Sequence, residues 1–338
     1  MCSCDRINSN SGEIQFCKAA APTLPLKSFS EDDKPITRNE IQKFLSSNCE
    51  EVTEKEFESR ITDTQRQIIN HIPDLQIILK DEEINQWATI QPFHNKKLNF
   101  YFKGKWSDKG ERCGLGKIIK EDGSLYYGFF SKDKFEGSGL YITLNGEYYW
   151  GTWRDDKTSG EGRLVVLGGK SVYKGQWFEN KKHGIGEETF SDGSSYIGEY
   201  KNNQMEGQGS YTWADKTKYI GEFLHSMLHG QGLITWADSR TYKGEFLFDK
   251  MHGNGRMTWP NGSYFEGEYK HGLKSGQGTF YWNNEKSYSG NWVDNKQHGA
   301  GILKIKDKIH QGIWRFGEII KLRETNPEIQ NVQQEYFS

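Results

Sequence analysis

Long apolar runs are absent from this 338-residue chain. No stretch approaches about 18 uninterrupted apolar residues, so no membrane-crossing helix is expected. No apolar segment follows Met1, and a secretory signal is not expected. Cysteine is scarce: Cys2, Cys4, Cys17, Cys49 and Cys113 make an odd set without Cys-x-x-Cys. This reads as free thiols in a reducing compartment rather than a disulfide framework. An excess of one charge is lacking too. Residues 1–96 carry 11 basic against 16 acidic side chains and the remainder 33 against 30, so neither part has the basic balance of a nucleic-acid binder. Catalytic motifs are missing: there is no Gly-x-Ser-x-Gly, no phosphate-cradling Gly-x-x-x-x-Gly-Lys-Ser/Thr and no His-Glu-x-x-His. Gly-x-Gly occurs repeatedly, but never with the third glycine of the dinucleotide fingerprint. No enzyme activity, cofactor or metal is expected.

Glycine, by contrast, is abundant and confined. Of 38 glycines, all but Gly12 lie after residue 96, which sets a boundary near residue 97. An aromatic-x-Gly-x-aromatic segment recurs around Gly104, Gly128, Gly151, Gly175, Gly198, Gly221, Gly244, Gly267 and Gly290, with a closing Gly312, in steps of 22 to 24 residues. Gly-x-Gly pairs keep the same step, from Gly114/Gly116 to Gly299/Gly301. A fixed period near 23 marks a repeat array, in which each unit buries its faces against its neighbours.

Strand alternation explains the pattern. Tyr196, Gly198 and Tyr200 share one face, and so do Gly207, Gly209, Tyr211 and Trp213. Glycine inside a strand marks a close approach, here a slot for an aromatic of the adjacent strand. Asp122-Gly123, Asn145-Gly146, Gly168-Gly169, Asp192-Gly193 and Asn261-Gly262 predict tight two-residue hairpin turns between units. The other connection, such as Lys201 to Glu206, reads as longer and polar. The half unit His310–Trp314, with the residues up to Ile320, reads as a C-terminal cap.

The N-terminal part differs. Residues 1–36 read as disordered, and 37–96 as helical. Thr37–Glu40 and Thr53–Glu56 both fit a capping box. After the second, Phe57, Ile61, Ile68, Ile69 and Ile72 form one helical stripe ending at Pro73, which either caps the first repeat or docks a partner.

Tyr149-Trp-Gly151-Thr-Trp153 and Tyr173-Lys-Gly175-Gln-Trp177 carry a resemblance. Together with seven further copies, they resemble the MORN (membrane occupation and recognition nexus) repeat. The resemblance implies a mainly β chain: an elongated single-layer antiparallel β-solenoid of about nine hairpin repeats over 97–320. A short helical N-terminal region precedes it, and a tail, 321–338, follows. It also implies a non-enzymatic scaffold, since enzymes that contain such repeats carry their chemistry outside them. The expected partner is a protein of a cytoskeletal, ciliary (radial-spoke-like) or cortical assembly, with a cytoplasmic location. The alternative is a membrane tether or phosphoinositide-binding module for anionic phospholipid.

Candidate partner-binding residues are the strand aromatics Tyr148, Trp150, Trp153, Trp177 and Trp213, read as exposed, and the acidic row Glu199, Glu222, Glu245 and Glu268. Cys2 and Cys4 form a candidate S-acylation pair. His183, His229, His252 and His298 each precede a Gly-x-Gly pair. Equivalent positions in successive repeats are about 9.6 Å apart, too far to share one zinc, so these read as turn histidines. Lys96, Lys97, Lys103, Lys105, Lys181 and Lys182 are dispersed among acids.

Overall fold

The computed structural model describes residues 49–72, 92–107 and 111–325. They divide into two compact units, one of 49–193 with Tyr200–Asn203 and one of Ser194–Glu199 with 204–325. The first unit contains β1 (Cys49–Glu51), α1 (Glu54–Ser59), α2 (Asp63–His71), β2 (Phe93–Asn95), β3 (Phe100–Trp106) and β4 (Arg112–Ile119). It continues through β5 (Leu125–Ser131), β6 (Lys134–Ile142), β7 (Tyr148–Arg154), β8 (Lys157–Val166), β9 (Ser171–Phe178) and β10 (Lys181–Thr189). β11 (Ser195–Lys201) contributes residues to both units. The second unit runs through β12 (Gln204–Thr212), β13 (Lys218–Leu224), β14 (Met227–Thr235), β15 (Thr241–Leu247), β16 (Lys250–Thr258) and β17 (Tyr264–Lys270). It ends with β18 (Leu273–Asn283), β19 (Lys286–Val293), β20 (Lys296–Ile305), β21 (Lys308–Arg315) and β22 (Glu318–Thr325). Within each unit consecutive strands pair antiparallel, the arrangement of a repeat solenoid. Residues 37–96, expected to be helical, also supply β1 and β2, which pair with each other, and β2 pairs with β3.

One face of each unit is aromatic. Gly128 pairs with Gly139, and Gly139 with Gly151, so glycines oppose one another across successive strands. Tyr126 lies over this glycine ladder; a Cβ at Gly128 would meet its hydroxyl at 2.6 Å. The Tyr126 hydroxyl donates to the Phe129 carbonyl (2.9 Å), and Tyr149, Tyr219 and Tyr242 repeat that bond. The second aromatic of the motif meets the tyrosine edge-to-face. Tyr149 lies 5.2 Å from Trp153 and 5.3 Å from Trp177, and Tyr219 lies 5.2 Å from both Phe223 and Phe246. Each ring thus bridges two repeats, the geometry the aromatic quadrupole favours.

The turns reverse the expectation. The tight two-residue connections are the polar ones. Asp155-Asp156, His225-Ser226 and Phe248-Asp249 carry positive φ at both residues, the type I′ hairpin. Asp122-Gly123, Asn145-Gly146 and Asn261-Gly262 instead close three-residue loops, and Gly168-Gly169 lies in the longer connection between the paired Val166 and Ser171. The Gly146 N–H donates to the Thr143 carbonyl (3.1 Å), the Thr143 N–H to the Glu147 carbonyl (2.8 Å), and Gly146 takes φ 81°. A type I turn followed by a left-handed glycine uses the same dipeptide, which is why sequence alone misplaced it.

The tight turns also fasten repeats together. The second turn residue donates its N–H to a carbonyl of the preceding repeat, and its side chain accepts that residue's N–H. Asp249 does both with Leu228 (3.0 and 2.7 Å), as do Asp156 with Phe135 and Asn295 with Lys274.

The apolar stripe near the N-terminus covers the face opposite the aromatic one. Phe57, Ile61 and Ile72 are buried with Tyr101, Leu115, Tyr127, Leu140 and Ile142, and Ile68 and Ile69 pack beside them. The cover thus reaches past the first repeat. The single expected helix is broken in two, because Thr62 starts α2 with a full capping box: Gln65 N–H donates to Thr62 Oγ1 and Thr62 N–H to Gln65 Oε1. Gln65 Nε2 then donates to the Gly123 carbonyl (2.9 Å), tying α2 to a repeat loop.

Candidate partner-binding surface

The aromatics expected to be exposed are not. Trp153 and Trp177 are 2% and 7% exposed. They stand on the glycine side of the strand, two residues from the motif glycine, and donate from the indole to the carbonyls of Gly139 (3.1 Å) and Gly162 (3.3 Å) in the preceding repeat. Strand parity made them core. Tyr148 and Trp150 lie on the opposite face, half-buried against the cluster that α1 and α2 cover. Trp213 is half-buried in a loop, beside Tyr211 at 4.7 Å.

The glutamate row does face away from the aromatics, and it has local work. Each carboxylate accepts the N–H of the residue after a left-handed glycine: Glu199 from Gln208, Glu222 from Gln231, Glu245 from Asn254 and Glu268 from Gln277, at 2.9–3.0 Å. Gly207, Gly230, Gly253 and Gly276 have φ from 54° to 68° and leave the carboxylates the space a Cβ would fill. Register shifts there mark a bulge, as between Gly221 and Glu222. Gln176 makes the same bond to Ile185 (3.1 Å), so the lock needs an oxygen and not a charge. The charge of the four glutamates is therefore surplus to folding.

Three of these histidines pack at a tilt against neighbouring turn residues: His229 on Phe248 (5.2 Å), His252 on His271 (5.6 Å) and His298 on Phe316 (4.8 Å). Among the basic residues, Lys96 pairs with Glu50, Lys103 with Glu54 and Lys182 with Glu188. Cys2, Cys4, the Thr37–Glu40 capping box and residues 1–36 lie outside the described residues. Among the described residues no helix is long and apolar enough to cross a membrane.

An exposed apolar patch lies outside the expected site residues. On the glutamate face of the second unit, Ile197, Ile220 and Leu233 are 55%, 50% and 37% exposed. Ile220 and Leu233 are cross-strand partners. Their counterparts in the first unit, by position in the motif, are Tyr127 and Leu140, which the helices bury. The signal was the residue between Tyr and Gly, Ile at 197 and 220 but Lys at 174 and 243. Further along the same face an open groove is lined by Lys243, Glu245, Asn254, Arg256 and Glu266.

Solved structures that are similar at low identity include the following three. The TCP10 domain of Danio rerio CPAP, in complex with a peptide of Danio rerio STIL, is 10% identical with a TM-score of 0.39, over 66% of this chain and 99% of that one. The SAS-4 (dCPAP) TCP domain of Drosophila melanogaster, in complex with a proline-rich motif of Ana2 (dSTIL), is 12% identical with a TM-score of 0.28, over 45% and 81%. A streptogramin B lyase follows at 10% and 0.14, over 71% and 80%. No curated protein matches the chain. The model of the MORN repeat matches nine consecutive segments, 102–125, 126–148, 149–165, 173–195, 196–218, 219–239, 242–264, 265–286 and 288–308. These segments span more than half of the sequence, and the chain therefore belongs to the MORN-repeat family.

Proposed function

We propose that the chain is a non-enzymatic repeat scaffold whose second unit holds a protein partner of a cytoskeletal, ciliary or cortical assembly. The carrying observation is the exposed Ile197, Ile220 and Leu233 on the glutamate face, at motif positions that the first unit buries beneath two helices. That precedent argues for an amphipathic helix as the occupant, and the surplus charge of Glu199, Glu222, Glu245 and Glu268 for basic residues flanking its apolar stripe. The same acidic row opposes an anionic bilayer.

The test is retention of tagged protein in the detergent-resistant fraction of cells. Wild type is expected to remain and Ile220→Arg/Leu233→Arg to be released, with unchanged circular dichroism. Equal retention of the double variant sinks the reading. Liposome binding that rises with anionic lipid and falls with salt would instead support a membrane-binding module. Cys2→Ser/Cys4→Ser should stay in the resistant fraction, because the scaffold reading places retention in the repeats.

A further inference from the structure

The residue two positions before each Gly-x-Gly pair points into the aromatic face. Phe135, Leu228 and Met251 are buried there. Three other repeats place a base at this position: Arg112, Lys182 and Lys274. The first two are neutralised. Arg112 donates from Nε to Asp133 Oδ1 (3.0 Å) and from a terminal nitrogen to the Asp133 carbonyl (2.8 Å). Lys182 Nζ bonds Glu188, whose second oxygen accepts the Tyr200 hydroxyl (2.8 Å).

Lys274 on β18 has no such acid. The position six residues on, glutamate in the Lys182 repeat, is Phe280 here. Its Nζ stands among four rings of the second unit: Phe280 at 4.7 Å, Trp259 at 4.9 Å, and Phe265 and Trp292 at 5.1 Å. Phe265 and Trp292 are buried core, while Trp259 and Phe280 are half-exposed and leave the site reachable from solvent. Burial pulls the ammonium down from 10.5 to about 8. Ring faces attract a cation and oppose part of that shift, but they accept none of its N–H bonds as an oxygen would; a lysine desolvated in an apolar pocket without a carboxylate partner is the activated form of the amine nucleophile.

We propose that Lys274 is an acyl-acceptor lysine, a modification site for activated acyl donors of the thioester class. The free amine attacks the thioester carbonyl carbon, a C–N bond forms and the C–S bond breaks. The thiolate leaves, and the excess proton on nitrogen passes to solvent. The amide product carries no charge, and its acyl carbon chain packs on the rings that the ammonium met unpaired.

The test labels the intact full-length protein with limiting acetic anhydride between about pH 6.5 and 10.5, read lysine by lysine by mass spectrometry. At neutral pH an amine of this basicity is free base roughly three hundred times as often as an ordinary lysine. Weaker nucleophilicity and shielding take back part of that, as for thiols of lowered pKa. Lys274 is expected to outpace exposed lysines about tenfold and to reach half its maximal rate near pH 8. An N-acetylcysteamine thioester should select the same residue. Phe280→Glu supplies an acid like the one Lys182 has, and in a folded variant it should reduce the lead, since the carboxylate offsets part of the burial. Labelling of Lys274 in step with exposed lysines, failure of the thioester to select it, or a lead undiminished by Phe280→Glu overturns the proposal.

Discussion

Gly230 takes a φ of 55°, and the space of its absent Cβ admits the Glu222 carboxylate, which accepts the Gln231 N–H. Glu222→Ala removes the acceptor and should cost about 1 kcal/mol in urea unfolding. Glu222→Gln should stay within about 0.5 kcal/mol of wild type, because Gln176 already does this work in another repeat. If the two variants were equally destabilised, the lock would be electrostatic. Lys274 gives a second residue-scale prediction. Its folded pKa is depressed, so below about pH 8 both states hold the proton and the burial penalty is constant. Between about 8 and 10 the folded amine has released its proton while the unfolded one keeps it, and stability rises with pH. Lys274→Met should gain on the order of 2 kcal/mol at pH 7 and lose that rise. Burial raises the tyrosines Tyr149, Tyr196, Tyr219 and Tyr242 above 10.0. Above about pH 10 their unfolded forms ionise first, so wild type and variant should both lose stability.

The hairpin is the next scale, and its tip is where the sequence was least legible. The glycine ladder, the inward aromatics and the period could be read directly, since alternation leaves Tyr196, Gly198 and Tyr200 one face. The tip pairs could not, because Asn-Asn and Phe-Asp lack glycine and their φ values are imposed by the bonds they make to the previous repeat. Parity puts Trp153 and Trp177 on the glycine face as well, whereas their size and aromatic character alone suit an exposed binding surface equally. The break before Thr62 was hidden because Ile61 keeps the apolar spacing across it. Asp249→Ala should cost about 2 kcal/mol, from an orphaned Leu228 N–H and a left-handed alanine. Asp249→Gly, which keeps the conformation, should cost less. At the next tip Gly272 donates to the Met251 carbonyl but has no side chain to accept in return. Gly272→Asn should raise the melting temperature, with a gain of about 0.5 kcal/mol; a fall would mean that the site has no room for the amide.

For the whole molecule, repetition limits how far a perturbation spreads. Tyr242 touches Phe246 of its own repeat and Tyr269 of the next, and no ring farther along. Tyr242→Leu should therefore raise amide hydrogen exchange most in β14 to β17 and least in β21 and β22. A uniform rise across the second unit would indicate one cooperative block.

The tip bonds have a polarity. The donor and acceptor at Asp249 hold Leu228, 21 residues earlier, and never a residue ahead. During synthesis a strand is thus sealed only when the following tip has left the ribosome. A nascent chain of any length ends in one open seam, which the next 21 residues close and reopen one step on. Stop points along the array are equivalent for this reason, and a series of truncated chains should each lack the same last pair of bonds.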